Sequence, residues 1–153
     1  RLGYRVFSSF LGKKAAFSQF DLQFDWYRQL WKGAVLATDL YAEERSGNVP
    51  WSLMAEAGGS SRLRGYYEGR FRDKNYLAAQ VELRQKVYNR SGLAFWVGGG
   101  NVFPRLNELE LHQSLVSYGM GYRWEFKKRV NIRLDYGRGK DQSGFYFGIN
   151  EVF

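Results

Sequence analysis

The sequence predicts an all-β chain whose strands form an antiparallel transmembrane β-barrel. Three observations carry that prediction. Strict alternation recurs: Phe20, Leu22, Phe24 and Trp26 face one way while Gln19, Asp21, Gln23 and Asp25 face the other, as in a strand with one apolar and one polar face. Several such runs reach about ten residues or more, against about 5–6 in ordinary globular strands and about 9–11 in strands that cross a bilayer. Aromatic residues also gather at strand ends, with Trp26, Tyr27 and Trp31 at one turn, Trp124 and Phe126 at another, and Phe153 at the terminus. Alternate turns fall on the same side of a barrel, so these rings make a girdle at one membrane interface. On pattern alone, a soluble β-barrel stays open as the alternative.

Taken in order, residues 1–10 alternate weakly, with Leu2, Tyr4 and Val6 on one face, and Gly12-Lys13-Lys14 reads as a turn. After the clear strand through Trp26, Trp31-Lys32-Gly33 turns the chain into a strand over 34–43. Ser46-Gly47-Asn48 and Pro50 break it. Beyond a long loop, Leu77, Ala79, Val81, Leu83 and Val87 share a face against Gln80, Glu82, Arg84 and Lys86. Residues 89–92 make a tight turn, and the Asn89-Arg90-Ser91 sequon within it is read as chance. Residues 93–103 read as a strand interrupted by Gly98-Gly99-Gly100, and 104–113 as a second loop with a helical turn around 107–111. Val116, Tyr118, Met120, Tyr122, Trp124 and Phe126 then alternate against Ser117, Gly119, Gly121, Arg123 and Glu125. Lys127-Lys128-Arg129 is a solvated basic turn, with lipid-phosphate contact as its second reading. Val130, Ile132, Leu134 and Tyr136 alternate against Asn131, Arg133, Asp135 and Gly137, and residues 138–143 turn again. The last strand, 144–153, sets Phe145, Phe147, Ile149 and Phe153 on one face. The tally is about eight strands.

Composition narrows the chemistry. The 153 residues amount to one domain. Cysteine is absent, which excludes a disulfide framework and a thiolate metal site. No apolar run is long enough for a transmembrane helix. The chain opens mid-pattern at Arg1 with no initiator Met and no signal peptide, and so reads as a piece of a longer protein. A net charge of +8 suits nucleic acid and anionic lipid headgroups alike, and charge alone does not choose.

The stretch 58–75, GGSSRLRGYYEGRFRDKN, is too polar, too basic and too rich in glycine for a strand. It is also too long for a hairpin turn, and long loops in compact structures are functional or disordered. Tyr66, Tyr67 and Phe71 alternate with Arg62, Arg64, Arg70 and Arg72, more aromatics than a solvated linker carries. Those side chains need something to receive them.

Four short motifs stand in order: Leu63-Arg64-Gly65-Tyr66, Glu82-Leu83-Arg84, Leu134-Asp135-Tyr136-Gly137, and the terminal run 144–153 ending in Phe. Over nearly the whole chain, and most strongly from Gly58 onward, they resemble the C-terminal half of the BamA/TamA-type outer-membrane β-barrels, the bacterial surface antigen superfamily. The resemblance implies that Arg64, Gly65 and Tyr66 form the family's arginine-glycine-aromatic motif, on an extracellular loop of about 46–75 folded back into the barrel. It implies that Glu82 is the inward acid that anchors the loop, and that Phe145, Phe147, Gly148 and Phe153 belong to a terminal strand signal. It further implies about sixteen strands in the whole barrel, so residues 1–153 would be the C-terminal half of a single outer-membrane β-barrel domain. An open half-barrel leaves unpaired edges that lipid does not tolerate, so the missing strands are expected before Arg1. There is one departure. The family's strand after Glu82 carries an aromatic-x-Asp-x-Gly motif, and here Gly98 of Trp96-Val97-Gly98-Gly99-Gly100 takes the Asp position. Arg64 is therefore expected to pair with Glu82, with Gly98 leaving space for Tyr66 or water, and Gly98→Asp is expected to be tolerated or stabilising.

The expected function is that of a non-enzymatic outer-membrane barrel for protein assembly or translocation, acting through a lateral strand seam and an inward basic loop. Gly148, midway along the terminal strand, would weaken or kink that seam. The expected location is the bacterial outer membrane. The expected partners are outer-membrane lipid, including lipopolysaccharide, client outer-membrane proteins and assembly partners, with no nucleic acid, metal or cofactor. A barrel that anchors, or makes a pore for, a missing N-terminal domain of lipase type is the alternative. His112 and Ser114, two residues apart in a loop without a nucleophile elbow, make a poor dyad. Gly98-Gly99-Gly100 lacks the Lys-Ser/Thr of a phosphate loop. Phosphate and stacking contacts with nucleic acid fit poorly with strands whose outer faces are this apolar. Phe20, Leu22, Phe24, Val81, Leu83, Tyr118, Met120, Ile132, Leu134 and Phe147 are expected to face lipid. Gln23, Asp25, Glu82, Arg84, Arg123, Arg133 and Asp135 are expected to face inward.

Overall fold

Alternation in the sequence becomes alternation of faces in the fold. The computed structural model describes residues 1–7, 16–110, 112, 114–128 and 130–153. Its strands are β1 (Leu2–Phe7), β2 (Phe17–Trp31), β3 (Ala34–Gly47), β4 (Ala55–Ala57), β5 (Phe71–Asp73), β6 (Asn75–Tyr88), β7 (Ser91–Phe103), β8 (Leu115–Lys127), β9 (Val130–Gly139) and β10 (Gln142–Ile149). Among the described residues, eight of them form one antiparallel sheet in the order β1-β2-β3-β6-β7-β8-β9-β10, while β4 and β5 pair separately within the loop between β3 and β6. Two-residue turns join β2 to β3 and β6 to β7, and their positive φ values, 83° at Gly33 and 44° at Asn89, suit residues that tolerate left-handed backbone. Register shifts at Gln29/Trp31, Lys86/Tyr88 and Glu125/Lys127 all lie at this short-turn end, where bulges strengthen local twist.

The sheet curls toward the face that carries the loop. β2 and β10 stand six strand spacings apart in sheet order, about 29 Å if the sheet were flat. Yet Tyr27 of β2 and Phe153, four residues past the end of β10, have ring centroids 6.5 Å apart. Four residues reach about 14 Å only when fully extended, and the left-handed turn at Asn150, φ 66°, shortens that reach, so the sheet bends to bring the two rings together.

The two faces are inverted relative to a water-soluble core. The largest wholly buried side chains are Arg64, Tyr66, Glu82, Asp39, Asp135 and Ser117. Phe20, Leu22, Phe24, Val81, Tyr118, Met120, Leu134 and Phe147 lie exposed on the opposite, outer face, and Leu83 and Ile132 are half-buried on it. On the inner face, Glu82, Arg123, Arg133 and Asp135 are buried and Gln23 and Arg84 half-buried, while Asp25 is exposed.

Several local expectations change. The glycines do not interrupt β7: residues 98–100 remain paired with both β6 and β8, because extended backbone suits glycine and neighbours on both sides hold it. The stretch 58–75 contains a short strand after all, β5, which is hydrogen-bonded to β4. The second loop carries a 3₁₀ turn at Leu106–Glu108, which overlaps the turn expected around 107–111; residue 111 lies outside the described residues. β10 ends at Ile149, and Asn150 takes φ 66°, so Phe153 does not continue the outer face of Phe145 and Phe147. The turn expected at Gly12-Lys13-Lys14 lies outside the described residues, as does Arg129 of the basic turn.

Candidate functional site

The loop between β3 and β6 lies on the inner face, and small residues make its bed. Leu63, Arg64, Gly65 and Tyr66 are all buried. Gly65 has φ 114°, and a Cβ there would stand 2.7 Å from the backbone of Arg138 and Gly139. The loop thus meets β9 backbone to backbone. β9 reciprocates with Gly137, where a Cβ would stand 2.6 Å from the Arg64 carbonyl carbon, and with Gly139, where it would meet the Tyr66 ring. The Gly65 N–H donates to the Tyr146 hydroxyl of β10 at 2.8 Å, and Ser117 of β8 donates its hydroxyl to the Arg64 carbonyl. Ala55, Ala57, Leu63, Tyr66, Tyr76 and Ala78 form a small apolar cluster above this contact.

Arg64 carries the loop's charge into the sheet. Its guanidinium, wholly buried, donates from Nη2 to Glu82 Oε2 at 2.5 Å and from Nη1 to Asp135 Oδ2 at 2.7 Å. Its Cζ lies 3.5 Å from the centroid of the Trp96 ring, which adds a cation–π contact in a desolvated setting. The network continues outward. Arg84 donates to Glu82 at 2.9 Å, Arg133 donates to Asp135 at 3.2 Å and Arg123 contacts both acids. Glu151, just past β10, closes it by accepting from Arg123 at 2.8 Å and from Asn131 at 3.1 Å. Four guanidinium groups, of Arg64, Arg84, Arg123 and Arg133, therefore face three carboxylates, of Glu82, Asp135 and Glu151. Buried charge survives only when paired and hydrogen-bonded, so the network holds the loop and the strands β6, β8 and β9 in one arrangement.

The model of the Omp85 superfamily domain matches residues 1–153. The chain belongs to the Omp85 superfamily. A comparison with curated proteins found no significant match. Membership agrees with the resemblance to the BamA/TamA-type surface antigen family and supports the general family of outer-membrane protein assembly and translocation.

Within this Omp85 domain, the predicted site residues fall into two places. Arg64, Gly65, Tyr66 and Glu82 come together as described. The expected pairing with Glu82 is present, but it is half of the arrangement. The second carboxylate comes from Asp135 on β9, three strands from Glu82 in sheet order, and the sequence had no way to place those strands opposite each other. A Cβ at Gly98 would stand 2.9 Å from the Ala79 carbonyl oxygen and 3.2 Å from Gln80 Cβ, and Trp96 supplies the surface that Arg64 covers. We now expect Gly98→Asp to lower stability by about 1–3 kcal/mol, read as a lower denaturant midpoint. A midpoint at or above that of the parent would restore the earlier expectation.

Phe145, Phe147, Gly148 and Phe153 are not one surface. Phe145 and Phe147 are exposed on the outer face. Gly148 points inward, and a Cβ there would meet the Arg133 guanidinium, so it makes room for that side chain. Phe153 turns inward with Glu151. Its carbonyl accepts from Arg84 Nη2 at 3.1 Å and its ring lies 5.1 Å from Arg84 Cζ. Tyr27 joins it on the inner face, so these two rings leave the girdle while Trp26, Trp31, Trp124 and Phe126 remain exposed.

The loop has a second foothold that the sequence reading missed. Arg62 donates to Asp39 of β3 at 2.6 and 3.0 Å, a bidentate pair, and its Cζ lies 3.9 Å from the Tyr41 ring centroid. Asp39 sits at an inward position of an alternating strand, the one signal that marked it. His112 is exposed, with Glu110 at 3.5 Å from Nε2, a neighbouring acid that the sequence reading did not pair with it. No hydrogen bond joins His112 to Ser114 among the described residues. No group of three or more potential metal ligands occurs among them either, and both acids beneath Arg64 are committed to guanidinium groups.

Proposed function

We propose that this chain forms eight strands of a larger outer-membrane β-barrel, of sixteen strands in the family pattern, that acts without catalytic residues in the assembly or translocation of outer-membrane proteins. The observation that carries this reading is the inversion of faces. A band of Phe, Leu, Val, Met and Tyr is exposed outward while paired charges are buried inward, which suits hydrocarbon outside and a polar interior. The strand lengths agree, since β2, β3, β6, β7 and β8 have 15, 14, 14, 13 and 13 residues, enough for a tilted span of about 9–11 residues plus rims. The outer edges of β1 and β10 have no partner strand among the described residues. Lipid does not tolerate such edges, so further strands close the sheet, and the contact with β10 is the lateral seam.

In this reading the long-loop end is extracellular and the short turns are periplasmic. The loop 48–74 fills the interior, and Phe145, Phe147, Gly148 and Phe153 serve the terminal strand signal. A seam that opens would template an incoming strand by β-augmentation. Depletion of the full protein, followed by a survey of outer-membrane protein levels, tests the function. A general fall in barrel proteins is expected, and unchanged levels would leave the domain an anchor or pore. The face assignment is tested separately. Met120→Arg should cost about 2–4 kcal/mol in lipid, measured by reversible unfolding in bilayers, and an unaltered midpoint would put that face in water.

A further inference from the structure

β8 and β9 stop pairing before either strand ends. Their last partners at the long-loop end are Tyr118 and Arg138. Yet β8 starts at Leu115, paired with β7, and β9 runs to Gly139, paired with β10. The strands splay, and a cleft of about 850 Å³ opens there. Tyr66 fills its inner end. The Tyr66 hydroxyl donates to the Val116 carbonyl at 2.9 Å and accepts from the Lys140 N–H at 2.8 Å, so one side chain spans the gap that the missing strand hydrogen bonds leave.

The outer end of the cleft combines two chemistries. Val116 and Tyr118 are exposed on the apolar face. Beside them stand Arg70, Arg138 and Lys140, all exposed and with no carboxylate partner among the described residues. The other arginines of the loop behave differently: Arg62, Arg64 and Arg72 are each paired with an acid. Asp141 is the one acid among the described residues that line the cleft.

We propose that this cleft binds the phosphate group of an acyl-bearing lipid. Arg70, Arg138 and Lys140 hold the phosphate, and Val116 and Tyr118 meet the adjoining chain. The inference rests on the membrane placement proposed above, which sets the long-loop end at the height of the outer headgroups. Phosphate accepts charge-assisted hydrogen bonds from guanidinium and ammonium groups, and the apolar wall beside them fits the hydrocarbon to which that phosphate is attached. The source of the phosphate is either the glycolipid of the outer leaflet or a phospholipid.

The test uses the full-length protein, extracted in detergent and titrated with bis-phosphorylated lipid A, with dephosphorylated lipid A and with phosphatidylglycerol, with bound lipid read by native mass spectrometry. Three forms are compared: the parent, Arg70→Gln/Arg138→Gln/Lys140→Gln, and Arg28→Gln/Lys86→Gln/Lys127→Gln, which removes equal charge from the short-turn end. The first triple variant should bind phosphorylated lipid at least about tenfold more weakly, and the second should match the parent. Preference for lipid A over phosphatidylglycerol assigns the site to the glycolipid, and equal binding of the two assigns it to phosphate on either lipid. Undiminished binding by the first triple variant, equal loss in both, or equal binding of dephosphorylated lipid A overturns the site. Should the first triple variant fail to reach the membrane, Arg138→Gln alone carries the same comparison. A parent protein absent from the outer-membrane fraction would overturn the membrane placement instead.

Discussion

Glu82→Ala is expected to lower the stability of the folded protein by about 3–5 kcal/mol and to free the loop that carries Arg64. Glu82 is wholly buried and meets the guanidinium groups of Arg64 at 2.5 Å, Arg84 at 2.9 Å and Arg123 at 3.4 Å. Its removal leaves four guanidinium groups with two carboxylates in a site that water reaches poorly, and uncompensated buried charge is the costly outcome. Arg64→Ala acts differently. It leaves three cations and three carboxylates, so the wall stays balanced while the loop loses its anchor. The expected pattern is therefore a loop open to protease in both variants, with the larger fall in unfolding midpoint for Glu82→Ala. A double-mutant cycle between Arg64 and Glu82 should give a coupling of about 1–3 kcal/mol. A coupling near zero, or a protease-resistant loop in Arg64→Ala, would return residues 58–75 to the status of an ordinary surface loop.

Gly65→Ala is expected to be the most damaging conservative change within the loop. Its φ of 114° lies outside what a side chain adopts without strain, and its Cβ would enter the backbone of β9 at 2.7 Å. Backbone cannot rotate away as a flexible side chain can. The loop would have to lift from β9, taking with it the 2.8 Å bond from the Gly65 N–H to Tyr146 and the docking of Arg64 and Tyr66. A cost of at least about 2 kcal/mol is expected. Gly99→Ala is the control, since the nearest atom to its Cβ is the Leu115 carbonyl oxygen at 3.8 Å. Thermal unfolding of the two variants side by side decides the matter, and equal midpoints would mean that the loop does not press on β9.

The sequence by itself determined which residues share a face. Alternation is local: a side chain's side of the sheet follows from its parity along its own strand, so Phe24, Tyr118 and Met120 were placed outward, and Glu82, Arg123 and Asp135 inward, without knowledge of any other strand. The loop was equally legible, because arginines interleaved with aromatics and glycines fit neither strand nor linker. Only the tertiary structure decided which inward residues meet. Glu82 and Asp135 face the same guanidinium because the sheet curls, and curl accumulates over many strands through twist and bulges that no single strand's pattern records. The same curl brings Phe153 to Tyr27 and Glu151 to Arg123. The motif alignment sought the second acid at Gly98, the next strand in sequence. The fold supplied it from β9, where Gly137 and Gly139 let the loop approach closely enough for Arg64 to reach across.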